Sequence, residues 1–415
     1  MLTEELIRTE TMEEISKAVR LHYFKEDKFN TNVISVVWTI PAKRDTATKV
    51  ALLSECINSG KNPKEREKLL AEMYGAVFES SIVQKGGRQL LALSFECVTD
   101  KAAGEKLFKN AVSFMRDALD TKVTEDMLEK AKNRLNNSLD MKNDSPSQYA
   151  VERLIDTVYP DDAFSVHCDG YKEDIDKIKC SELNDLFNDF KTVGHTDIFI
   201  SGDVDRETAV MAAESFVKRR DEVEKLPIDE VHTIENPRSK TEKRNVGQSR
   251  VAVLYSSDLD AWGKEWYTAL VLKEILCGAG SSLLYDNVRQ KNGLCYYIGG
   301  KIMRFRMAYV IDAGVAPGNE EKTVELIDEC IKNFCVDEDC LKAAKMAVVR
   351  DIKASSDRRM GRINNAMNKM LLGITIDHDF EEDIKEITLE DIRKSVQHMT
   401  RKGVFVLAAD KGDEK

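Results

Sequence analysis

Two stretches constrain this chain more than any other feature: "ALLSECINSG" at residues 51–60 and "ALVLKEILCG" at 269–278, which stand 218 residues apart. A second echo, "IKCSELNDLF" against "ITLEDIRKSV", is offset by 209, and each member runs into a closing β-like segment, "TDIFISGDV" and "GVFVLAAD". Few identities survive, so the weight falls on the order of the echoes. At 415 residues the chain is also too long for one ordinary core. A duplicated unit satisfies both constraints.

Each copy reads the same way. "TNVISVVWTI" is β-branched and partly alternating, which predicts a strand closed by Pro41, and a mostly apolar helix follows over 45–59 up to Gly60. Asn62, Pro63 and Glu65 form a helix-start signal, and Gly75 a stop. Two β-like runs joined at Lys85-Gly86-Gly87 predict a hairpin, and helical pattern then runs from about 100 to 190. The second copy repeats this with "RVAVLYSS", helices at 264–277 and 282–291, strands at "GLCYYIGG" and "RFRMAYVIDAGV", and helical pattern over 319–397. Between the copies, 219–248 is charged, holds two of the seven prolines and shows no sustained period, so it reads as a linker. The expected architecture is α+β: domains at 1–218 and 249–415, each a mixed, largely antiparallel sheet with helices on one face, enclosing a cleft.

Composition removes several classes. Lys and Arg total 62 against 73 Asp and Glu, a net charge of −11, and no basic run invites a nucleic-acid backbone. The longest apolar runs, such as "VISVVW", are too short to span a bilayer, and "MLTEELIRTETMEE" lacks the apolar stretch of a secretory signal. A cytoplasmic location follows as the expectation, with no membrane partner. Nine irregularly spaced cysteines then read as buried thiols rather than a disulfide framework.

Local motifs supply no complete catalytic site. The six histidines are His22, His167, His195, His232, His378 and His398, and neither His-Glu-x-x-His nor His-x-x-Glu-His occurs. "DHDFEED" at 377–383 reads as a solvated acidic loop rather than a cation site. Cys330, Cys335 and Cys340 are five apart, which turns successive thiols around a helix instead of onto one face. "CGAGSSL" at 277–283 lacks the third glycine and preceding strand of a dinucleotide fingerprint. No phosphate-loop lysine or Gly-x-Ser-x-Gly elbow appears.

Arg289 and Tyr296 remain, on either side of a helix stop at Gly293. A last-turn arginine suits the helix dipole and a tyrosine opening a strand is ordinary packing. The functional alternative is that a chain reversal at Gly293 brings a guanidinium and a phenol together, two donors suited to a peptide carbonyl or an oxyanion.

The stretch "GSSLLYDNVRQKNGLCYYIGG" resembles the second-half signature of the insulinase/pitrilysin-type zinc peptidases, in their processing-peptidase-like branch; Arg289, Lys291, Gly293, Leu294 and Tyr296 all match it. Length, duplicated halves and charged linker agree with the same family. The resemblance implies a His-x-x-Glu-His zinc motif in the helix ending at Gly60, and here those positions hold Ala51, Ser54 and Glu55, with Ser138 where the third ligand belongs. A methyl cannot coordinate zinc and a serine cannot replace a carboxylate base near neutral pH. Catalytic zinc is therefore expected only in a partner.

In some members of that family the site is split between two chains. This one resembles the zinc-less member of a bacterial pair, which implies a paralogous zinc-bearing peptidase subunit as partner and a peptide as substrate. Arg289 and Tyr296 would then act in trans. The alternatives are a peptide-binding or scaffold protein without proteolysis, and a homodimeric enzyme with a metal site that includes Glu55.

Overall fold

The computed structural model describes residues 10–218, 220, 222–278, 282–375 and 378–410. The chain forms two compact units, one of residues 1–140 and 166–230, the other of 141–165 and 231–415. Both are α+β. Among the described residues no helix is long and apolar enough to cross a membrane.

The first unit is built on six strands: β1 (Glu10–Ser16), β2 (Val19–Lys25), β3 (Thr31–Pro41), β4 (Val77–Lys85), β5 (Arg88–Val98) and β6 (His195–Gly202). They lie in the order β1-β2-β6-β3-β5-β4, with β2 and β6 the only parallel neighbours among them. Alternation puts Ile34, Val36 and Trp38 of β3 on the helix side, where Leu91, Leu93 and Phe95 of β5 join them. Against that face pack α1 (Arg44–Ser59), α2 (Leu107–Leu119), α3 (Glu125–Asn143) and α4 (Cys180–Thr192). The α1 helix fits the role because Val50, Leu53 and Ile57 recur at helical spacing and are all fully buried.

The second unit has β7 (Arg238–Arg244), β8 (Ser249–Ser256), β9 (Cys295–Met303), β10 (Ala308–Val315) and β11 (Thr400–Ala409), ordered β7-β11-β8-β10-β9. This order is β2-β6-β3-β5-β4 replayed, down to the single parallel pair, β7 with β11. The duplication read from a handful of identities is therefore present strand for strand. Val251, Val253, Tyr309 and Ile311 face a core with the helices Gly263–Cys277, Glu320–Lys332 and Glu338–Ser356.

The compact units divide the chain differently from a split at 218 and 249. The segment 141–165 belongs with the second unit, where the helix Pro146–Val158 covers the other face of the sheet. Ala150, Leu154 and Val158 meet Ala252, Leu254, Val310, Phe405 and Leu407 there. That sheet thus carries helix on both faces. The stretch 219–248 is not all linker either: Arg238–Arg244 is a strand. Its side chains are largely exposed because, among the described residues, β7 is an edge strand paired only to β11, so no apolar alternation marks it.

Candidate functional site

In the second unit the helical run expected over 282–291 is a π-helical turn, Tyr285–Lys291, with the wider i→i+5 winding. Gly280 and Ser281 of the matching stretch lie outside the described residues. The turn ends where the Gly293 amide bonds Arg289 O at 3.0 Å and the Leu294 amide bonds Val288 O at 3.1 Å. Gly293 has φ 61°, a left-handed conformation that other residues adopt at a cost. The chain reverses there, and Leu294 and Cys295 are buried at the start of β9.

Tyr296 owes its position to a β-bulge. Cys295 pairs with Val315 and Tyr297 with the adjacent Gly314, so Tyr296 is an extra residue in β9. Strict alternation would bury one of two neighbouring tyrosines. The bulge leaves both out, Tyr296 at 60% exposure and Tyr297 at 50%. Arg289 is also exposed, its guanidinium 5.0 Å from the centroid of the Tyr285 ring. Burial pushes the Cys295 thiol up, and the charge of nearby Arg289 opposes that rise, so the arginine's field reaches the residue next to Tyr296. Lys291 donates to Asn287 Oδ1 at 3.2 Å within the turn. The result is a cation and a phenol presented from one reversal.

The other predicted positions gather on two helices of the first unit. Ala51 is buried at 2% exposure, and Ser54, also buried, shares a 2.9 Å hydrogen bond with Ser80 Oγ. Glu55 accepts from Arg134 Nε at 3.0 Å, while Arg134 Nη2 donates to the Glu55 carbonyl at 3.1 Å and to Ser59 Oγ. Ser138 lies exposed one turn beyond Arg134 on α3. Behind Glu55, burial drives the Cys56 thiol up to about 12. The structure thus brings the helices of Glu55 and Ser138 together, and a guanidinium spans them.

These residues do not fit a zinc ion. Zinc takes imidazole, thiolate or carboxylate donors at about 2.0–2.3 Å. The set here is a methyl, two hydroxyls and one carboxylate already engaged by a cation. Among the described residues no group of three or more His, Cys, Asp or Glu side chains is placed to hold a metal. In the acidic stretch, Asp377 lies outside the described residues, and Asp379 caps the helix Phe380–Lys385 through the amides of Glu381 and Glu382. All nine cysteines are free; six are buried, with Cys335 exposed.

Arg134 is the functional-region residue that sequence reasoning missed. One arginine on the polar side of an amphipathic helix carries no local signal of its long-range partner.

Known proteins share this fold. Residues 177–348 match the family model described as the peptidase M16 inactive domain. A curated Bacillus subtilis (strain 168) protein, "Probable inactive metalloprotease YmfF", is 22% identical over 409 residues, covering 94% of this chain and 96% of that one. A conserved protein from Enterococcus faecalis V583 has a similar structure, with TM-score 0.89 at 20% identity, covering 98% of this chain and all of its own. A Helicobacter pylori protease gives TM-score 0.80 at 14% identity over 96% of this chain and 99% of its own.

Proposed function

Because the chain belongs to the peptidase M16 family, the insulinase/pitrilysin type, we propose that it is the zinc-less half of a split endopeptidase. In this reading it binds peptide and presents Arg289 and Tyr296 to a paralogous subunit whose own residues hold the zinc. When bound in the partner, zinc supplies the activated water. This chain's contribution is to bind and orient the peptide and to donate hydrogen bonds to the oxygen that gains charge during attack.

One observation carries the reading. The chain departs from the family's ligand types at Ala51, Ser54, Glu55 and Ser138, yet spends a π-helical turn, a left-handed glycine and a β-bulge on presenting Arg289 and Tyr296. Ordinary packing requires none of those three. The exposed edge of β9 beside them offers unpaired backbone groups to an extended peptide. A cytoplasmic location for the pair is part of the proposal.

The test is turnover of a peptide by this chain mixed with an M16 paralogue that retains His-x-x-Glu-His. Each chain alone should be inactive or nearly so, the pair active, and Tyr296→Phe should lower kcat while assembly persists. Unchanged turnover in Tyr296→Phe would remove the in-trans role, and failure of any such paralogue to form an active pair would favour a scaffold.

A further inference from the structure

Apart from Arg289 and Tyr296, the face of the second sheet that carries Ala252 and Leu254 holds a polar group with no assigned role. Register fixes its layout. Arg250 of β8, Gly314 of β10 and Tyr297 of β9 form one cross-strand row, Ala252, Asp312 and Gly299 the next, and Leu254, Val310 and Lys301 the third. Side chains paired in this way share a face, on strands roughly 5 Å apart.

Two glycines make room for the side chains of this group. A Cβ at Gly314 would come within 2.8 Å of Arg250 Nη1, and one at Gly299 within 2.4 Å of the Tyr297 hydroxyl oxygen. The guanidinium can therefore lie over bare backbone of β10 at Gly314, and the phenol over its own strand at Gly299. Any larger residue at either position would lift them off.

The charges of this group do not balance. Asp312 is buried at 7% exposure, accepts from Ser147 on one oxygen, and leaves Oδ1 buried without a partner. Burial raises its pKa, while Arg250 and Lys301 pull it back. Lys301 is exposed, yet the protein around its ammonium lowers its pKa. Among the described residues neither cation forms an ion pair and the Tyr297 hydroxyl donates to nothing, and Arg250 Nε is buried without a hydrogen bond. Two cations and a free phenol thus lie around one carboxyl, of which one oxygen is bonded to Ser147 and the other is not. The donors of Arg250 and Tyr297 lack an acceptor, which a ligand with paired oxygens would supply, while an amide or hydroxyl of the same ligand could donate to Asp312 Oδ1.

We infer that Arg250, Tyr297 and Lys301 form a subsite for a carboxylate of a bound peptide, either an acidic side chain or the C-terminus. This rests on the peptide-binding part of the reading above and adds a substrate class to it. A carboxylate matches the geometry because a guanidinium fork, a hydroxyl and an ammonium can each donate to its two oxygens.

The test uses the full chain and fluorescence anisotropy with three fluorescein-labelled peptides. These are amidated AVAEAVA, amidated AVAQAVA, and AVAQAVA with a free C-terminal carboxylate. The glutamate peptide should bind about tenfold more tightly than amidated AVAQAVA, as expected for a charge-assisted hydrogen-bonded group. Tyr297→Phe and Lys301→Met, both at exposed positions, should each cut that preference severalfold, and Arg250→Gln should remove it. Equal gain from the free-acid peptide would identify the terminus as a source of the carboxylate; no gain would assign the side chain. Equal binding of all three peptides, or a preference that survives the three substitutions, would overturn the subsite and leave peptide binding standing. Absence of binding by every peptide would overturn both.

Discussion

Arg134 on α3 holds Glu55 on α1 at 3.0 Å and also reaches the Glu55 carbonyl and Ser59 Oγ. A single side chain therefore joins the two helices that carry Glu55 and Ser138. Its cation is covalently attached and cannot be chelated away.

Arg134→Met should lower stability by about 1 kcal/mol in urea unfolding, because a partly exposed ion pair is worth little but two further acceptors lose their donor. Glu55→Gln, which keeps the carbonyl and Ser59 contacts, should cost less. An Arg134→Met midpoint identical to that of the parent chain would mean that the clamp holds nothing.

Added zinc should leave the thermal midpoint of the isolated chain unchanged, and so should a chelator. A ligand that binds only the folded state raises that midpoint by mass action, so a saturable rise at micromolar zinc would point to a metal site elsewhere in the chain.

In an active pair, Tyr296→Phe should lower kcat on the order of a hundredfold, the scale of one oxyanion donor. Arg289→Ala should lower kcat/KM further through weaker substrate binding. Size-exclusion profiles of both variants should match the parent pair.

Glu242 ties β7 to the helix Pro146–Val158 through Tyr149 and Arg153. Burial alone would push its carboxyl up, but the hydrogen bonds from Tyr149, Lys240 and Arg153 together outweigh that and bring it from 4.5 to about 2. A depressed folded-state pKa contributes stability that is present above the unfolded value and lost as pH falls through the folded one. The parent chain should thus lose stability between about pH 5 and about pH 3 faster than Glu242→Gln does. Parallel pH profiles from urea melts would refute this.

Cys335 should be the first thiol to react with a disulfide reagent under native conditions, since it alone among the nine is exposed. Cys56, pushed up to about 12 by burial, should react only on unfolding. Cys335→Ser should abolish the fast phase in a stopped-flow assay.

Legibility in the sequence tracked how local the cause of each feature was. Strands such as Thr31–Pro41 and the helix Arg44–Ser59 announce themselves by β-branching and by apolar spacing, and the hairpin at Lys85-Gly86-Gly87 by its glycines. Asn62 sits where a capping residue belongs, but its side-chain amide donates to Glu65 instead of accepting from the backbone. The strand Arg238–Arg244 was hidden because its partner, β11, is some 160 residues away in sequence and supplies hydrogen bonds rather than burial. Of the site, Arg289, Gly293 and Tyr296 were visible as a spacing. The bulge that turns Tyr296 and Tyr297 out together was not, because it depends on the register with Gly314 and Val315. Arg250 and Asp312 gave no signal at all, since only pairing across three strands assembles them.

The segment 141–165 sets an order on synthesis. The helix Pro146–Val158 leaves the ribosome long before β8, β10 and β11, the strands whose Ala252, Val310 and Phe405 it covers. Until they arrive its apolar stripe has no home in the second unit, so the nascent chain must hold that stripe back from aggregation or from a wrong partner. For the same reason the chain cannot be cut into two working halves at 219–248. One fragment would keep the helix without its sheet, and the other would keep a sheet stripped of its cover. A gene that began as two copies has become indivisible.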